Sequence, residues 1–111
     1  MPKVIIIDDN KITADLLSEQ LSSEQIKVVG KADTGKSGVQ LCKLLEPDFV
    51  LYGMNALELD LELILEEIKK HSPKSKVILL TDYDINFEID IFGICKKSYP
   101  FPEILEFIRK K

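Results

Sequence analysis

Tryptophan is absent from this 111-residue sequence, histidine occurs once and cysteine only twice. Cys42 and Cys95 sit inside apolar patterns with neither CxxC nor metal-ligand spacing, which argues against a disulfide framework or a zinc site. Buried thiols in a reducing cytoplasm are the expectation. No apolar run approaches the ~18 residues of a membrane span, and the first residues do not resemble a secretory signal. Five glycines and five prolines are scattered without forming a linker, and no repeat or low-complexity tract divides the chain. Residues 1–111 therefore read as one domain, long enough to bury roughly two-thirds of its unfolded surface. A surplus of positive charge is lacking too: the net charge is −4 and the pI about 5.0. Nucleic-acid faces need clustered Lys and Arg. Lys69-Lys70, Lys96-Lys97 and Arg109-Lys110-Lys111 are interleaved with acids and read as solvated faces and helix ends.

Present instead are hydrophobic residues at 45% and charged residues at 31%, the balance of a globular domain and too apolar for disorder. "KVIIID" (3–8), "IKVVGKA" (26–32), "DFVLY" (48–52) and "KVILLT" (76–81) have the continuous β-branched character of strands covered on both faces. Amphipathic stretches alternate with them. Residues 10–22 carry Ile12, Leu16, Leu17 and Leu21 behind Asn10, a favourable N-cap. Residues 36–45 carry Val39, Leu41, Cys42 and Leu45, ended by Pro47. Residues 60–71 place Leu61, Ile64, Leu65 and Ile68 on one helical face, and the tail repeats that spacing with Phe101, Ile104, Leu105 and Ile108. Strict strand–helix alternation implies right-handed crossovers and an α/β parallel sheet. Binding chemistry belongs at the carboxyl ends of such strands: Asp8-Asp9-Asn10, Gly53-Met54-Asn55, Thr81-Asp82 and Ser98-Tyr99-Pro100. His71, at a predicted helix end, is expected to favour the helix dipole.

One stretch departs from the alternation. In "TDYDINFEIDIF" (81–92), Tyr83, Ile85, Phe87, Ile89 and Ile91 alternate with Asp82, Asp84, Asn86, Glu88 and Asp90. A period of two is the pattern of a half-buried strand, where the fold order calls for a helix. The fourth helix is expected to be short, irregular or replaced by extended chain.

"VIIIDDN", "EPDFVLY", "KVILLT" and "YPFPEILEFI", in that order and spacing, resemble the response-regulator receiver domain of two-component signalling, from Lys3 to Lys110. The resemblance implies a doubly wound five-stranded parallel sheet of flavodoxin-like order 2-1-3-4-5. It also implies a phosphorylation site. In that family an Asp ending strand three accepts phosphoryl from a histidine kinase, an acidic pair holds Mg²⁺, a Lys before a Pro pairs with the phosphate, and a Thr or Ser bonds it. Such a transfer requires a carboxylate nucleophile, a bridging cation and a fixed positive charge on the product.

Position by position, the resemblance keeps Asp8 and Asp9 as the acidic pair and Thr81 as the switch hydroxyl. It breaks where the chemistry lies. Gly53 stands in place of the nucleophilic Asp, and Tyr99 in place of the Lys before Pro100. Asp82 adds a negative charge after the Thr, Lys96 replaces the switch aromatic, and Leu61 replaces the Gly that follows Asp60. The stretch from Thr81 to Pro100 is also shorter than the family pattern. The implied protein is a pseudo-receiver: no enzyme, without a required cofactor. Asp8-Asp9 would bind Mg²⁺ only weakly, on the order of millimolar, and the plainer reading of the pair is that it favours the first helix dipole. Thr81 is expected to cap local backbone, and the Tyr99 ring to fill the space over Gly53.

Function by contact follows. The family dimerises or docks through its fourth helix, fifth strand and fifth helix, the region most altered here, and Phe87, Ile89, Ile91 and Phe92 are the candidate interface. A homodimer or a protein partner is expected. An alternating segment of this kind could also pair as an edge strand. Family members often join a DNA-binding output domain. The chain could be the N-terminal part of a transcriptional regulator, with any DNA contact in an output domain beyond Lys111. The alternative is a stand-alone adaptor that binds a partner or small ligand in the degenerate pocket. A flavodoxin-like nucleotide binder lacks its phosphate loop, because Asp8 and Asp9 occupy that place. A phosphatase of the D-x-D type is spoiled by Asn10.

Overall fold

Five runs of apolar residues need cover on both faces, and the chain supplies it by sending successive helices to either side. A computed structural model describes residues 2–54, 60–83, 91–96 and 100–109. Its strands are β1 (Lys3–Ile7), β2 (Lys27–Ala32), β3 (Phe49–Gly53), β4 (Lys76–Leu80) and β5 (Gly93–Cys95), and its helices α1 (Lys11–Ser23), α2 (Gly35–Leu45), α3 (Leu61–His71) and α4 (Pro100–Arg109). The strands form one parallel sheet of order β2-β1-β3-β4-β5, the doubly wound order expected. The tail helix is the one numbered α4 here. The expected short helix between β4 and β5 falls on 84–90, outside the described residues, as do Phe87 and Ile89.

Alternation along the strands divides the core into two layers. Val4 and Ile6 of β1 face Leu17 and Leu21 of α1 and Ile104 and Ile108 of α4. Ile5 and Ile7 face Val39 and Cys42 of α2 and Leu65 and Ile68 of α3. Helix α3 buries all four residues that its spacing selects. Helix α1 does not: it buries Ala14, Leu17 and Leu21, while Ile12 and Leu16 are 73% and 55% exposed. Burial turns the helix towards its small residue, a choice that side-chain hydropathy alone does not encode. Leu45 of α2 is likewise exposed, at the helix end.

The helices begin where local chemistry starts them. Asn10 lies in extended conformation and its side chain accepts the Thr13 N–H at 3.2 Å; Thr34 does the same for Ser37 at 3.1 Å. Each satisfies an N–H that the first turn leaves without a partner. Helix α2 lies close to the sheet because Gly35 and Gly38 have no Cβ. A Cβ at Gly38 would stand 2.2 Å from Ile7 Cδ1, and one at Gly35 would stand 2.7 Å from the Tyr52 hydroxyl. The first turn of α2 is thereby held beside the ends of β1 and β3. At the other end of the molecule, Arg109 pairs with Glu24 at 2.9 Å and ties the end of α4 to the end of α1.

Candidate functional site

The carboxyl ends of β1 and β3 open into a crevice of about 440 Å³, walled on its far side by the first turn of α2. Asp8 follows β1 directly. Its N–H continues the sheet by bonding the Ala32 carbonyl at 2.9 Å, and its Oδ1 accepts the Asn10 N–H at 2.8 Å, so the buried carboxylate is anchored by backbone. Asp9 is exposed. Gly53 ends β3, paired with Leu80 of β4, and is buried. Its φ is not positive, so backbone geometry does not call for glycine there. What distinguishes the position is the missing side chain.

Asp8, Asp9 and Gly53 all line the crevice; Thr81 and Asp82 are not among its described lining. Thr81 follows β4, bonds the Cys95 carbonyl through its N–H at 2.9 Å, and accepts the Tyr83 N–H on Oγ1 at 3.0 Å. Its hydroxyl is thus engaged with its own turn. Tyr99 lies outside the described residues, and with it the expected closure over Gly53.

Three further groups enter the crevice that sequence reasoning did not place there: Asp33, Lys36 and Asp60, with Tyr52 forming the apolar wall. The signal for the first two was available, since "DTGK" follows β2 at the same carboxyl edge as the other loops. Asp60 arrives only through the return of the chain into α3. Among the described lining residues, four carboxylates against one lysine make this a poor seat for a dianion. No group of three His, Cys, Asp or Glu poised to hold a metal ion occurs among the described residues.

Of the expected interface residues that are described, Ile91 packs against the α2–α3 layer of the core. Phe92 lies edge-on between Phe49 and Phe107, with centroids 5.9 and 5.7 Å away, and Lys76 Nζ sits 5.0 Å from its centroid. Part of the Phe92 ring stays exposed, and Ile94 on edge strand β5 is 47% exposed. Sequence reading passed over Ile94, which stands between buried Gly93 and Cys95. Both cysteines are free and buried; burial pushes the Cys42 thiol up to about 11, and burial with the Glu103 carboxylate pushes Cys95 up to about 12. No helix among the described residues is long and apolar enough to cross a membrane.

A parallel sheet of this order, with an acidic pair at its carboxyl edge and a threonine directly after β4, is the architecture of a signalling receiver. Residues 4–109 match the family described as the response regulator receiver domain, and the chain belongs to that family, whose members signal in two-component systems and are generally not enzymes. The response regulator protein VraR of Staphylococcus saprophyticus is 33% identical over 115 residues, covering 97% of this chain and 55% of the relative. The chain thus spans about half the length of that relative, and less of the others. Among solved structures, the response regulator TrrA of Thermotoga maritima, in complex with Mg²⁺ and BeF, superposes with a TM-score of 0.80 at 24% identity, covering 99% of this chain and 98% of the other. A LuxR-family DNA-binding response regulator of Staphylococcus aureus gives 0.81 at 19%, covering 99% and 98%. At these identities the two structures establish the fold alone.

Proposed function

We propose that this receiver is degenerate: it signals by protein–protein contact, with no phosphoryl group accepted at strand three. The observation that carries the reading is Gly53, which ends β3 beside Asp8 and Asp9 and offers no oxygen to attack phosphorus. The charge around it supports the same reading, with four acids and one lysine among the described residues of the crevice. Two carboxylates, one of them already bonded to the Asn10 N–H, do not fit a resident Mg²⁺, which normally needs a phosphate or a further strong ligand in a site of this kind. The protein requires no cofactor.

The contact face is edge strand β5 with its flank, where Phe92 and Ile94 present apolar surface. The partner is a second copy or another protein. Because the VraR relative is nearly twice as long as the matched region, we place any transcriptional output in such a further region and none in this acidic domain.

The test is molar mass by light scattering across a concentration series, with and without Mg²⁺ and acetyl phosphate, for the wild type and Ile94→Glu. The expected result is a wild-type dimer indifferent to the donor and a folded, monomeric Ile94→Glu. A monomeric wild type, equally indifferent, would favour the adaptor reading. Any donor-dependent change in mass would overturn phosphorylation independence.

A further inference from the structure

We infer that a second copy of this chain docks its α1 helix into the groove between α2 and α3, a head-to-tail contact separate from the β5 face. The groove encloses about 600 Å³. Its floor is Val39 and Ile64, and Leu63, 65% exposed, forms an apolar ridge along it. Lys36, Lys43 and Lys70 stand around this surface, and no ion pair engages them among the described residues. Of the two acids in the lining, Glu67 lies 3.1 Å from His71, so two carboxylates stand against three lysines. A protein of net charge −4 therefore carries a locally cationic, apolar-floored groove.

The complementary surface is on the same chain. The outward face of α1 presents Ile12 and Leu16, the exposed pair that the core rejects, with Asp15 and Glu19 beside them. These four residues fall at i, i+4, i+3 and i+7, one stripe of a helix. Asp15 is engaged by Lys31 at 2.9 Å, while Glu19 makes no ion pair among the described residues. An apolar pair flanked by acids matches an apolar floor flanked by lysines, in both hydrophobicity and sign. Length agrees as well: α2 and α3 each run 11 residues, about 16 Å at 1.5 Å per residue, room for the roughly two turns from Ile12 to Glu19.

The two surfaces lie on opposite layers of the sheet, α1 with α4 and α2 with α3. One pair of molecules cannot make both reciprocal contacts across a body 28 Å thick. Each contact leaves a free α1 at one end and a free groove at the other, so association does not close at a dimer. The small apolar area places the contact at the transient end of the range, dependent on concentration and weakened by salt.

The experiment uses sedimentation equilibrium in the Ile94→Glu background, which silences the β5 face. The parent should grow in average mass past twice the 12.6 kDa of one chain as concentration rises. Ile12→Glu, with a blocked helix and an open groove, should not grow; nor should Leu63→Glu, with an open helix and a blocked groove. Both sites are exposed, and circular dichroism checks that each variant is folded. Mixed, the two variants keep one compatible helix and one compatible groove, and should form a 1:1 complex of twice the chain mass and nothing larger. A parent that stays at constant mass, single variants that grow like the parent, or a mixture that remains unassociated each overturns the proposal. A constant mass offset common to all samples would report residual β5-face pairing and bear only on the earlier reading.

Discussion

Replacing Gly38 by alanine tests how closely α2 is held against the sheet. The new Cβ would stand 2.2 Å from Ile7 Cδ1 and 2.6 Å from Ile7 Cγ1, closer than non-bonded carbons tolerate. Ile7 is fully buried and β-branched, so its χ1 has little room to turn. Overpacking of this kind costs about 1–3 kcal/mol. Alanine in a helix interior returns about 1 kcal/mol of propensity, leaving a net destabilisation of about 1 kcal/mol. Ile7→Ala removes both close atoms and by itself costs about 2–5 kcal/mol. The double variant should then be no less stable than Ile7→Ala, because the clash is relieved while the propensity gain remains. A coupling of about 2 kcal/mol, measured by urea unfolding at constant m-value, is the expected result. In a domain near this size each kcal/mol corresponds to roughly 4–8 °C in Tm. The amides of Asp8 and Thr34 should shift in the single variant and return in the double, since both line the crevice that α2 walls. Strict additivity, or a Gly38→Ala variant stabilised by its full helix propensity, would refute the close seating.

The Lys31 ammonium, hydrogen-bonded to Asp15, holds that carboxyl below its ordinary value. A depressed folded pKa means that the stabilisation is present above the unfolded value and is lost as pH falls through the folded one. An NMR titration should show the Asp15 pKa rising in Lys31→Met and in high salt; an unchanged value would remove the ion pair from the account. Cys95, raised by burial and then by Glu103, should resist alkylation at pH 8 until the protein unfolds, and Glu103→Gln should lower its pKa only in part. A Cys95 that reacts in the native state at the rate of a free thiol would contradict its burial.

The degree to which the sequence foretold this molecule differs from element to element. Helix α3 was legible because Leu61, Ile64, Leu65 and Ile68 are large, evenly spaced and all buried. Helix α1 was legible in extent and N-cap but not in orientation. Ile12 and Leu16 outweigh Ala14 on any hydropathy scale, yet Ala14 faces the sheet. The pocket positions Asp8, Asp9 and Gly53 could be assigned from strand ends, and they do line one crevice. Lys36 and Asp60 were not assigned, because their presence depends on how closely α2 approaches the sheet and on where α3 begins. The exposure of Ile94 also escaped the sequence, since a lone isoleucine between two buried neighbours gives no sign of which layer ends before covering it.

The order of strands and helices, the capping residues and the missing carboxylate at position 53 are properties of the chain itself. Periodicity, N-cap chemistry and the absence of a side chain are local, and each acts within a few residues. The tertiary structure alone decided which stripe of α1 is outward, how α2 narrows the crevice through Gly35 and Gly38, and where lysines gather around an apolar groove. Those outcomes depend on packing between segments far apart in the chain, where sub-ångström fit decides which of several apolar faces is buried.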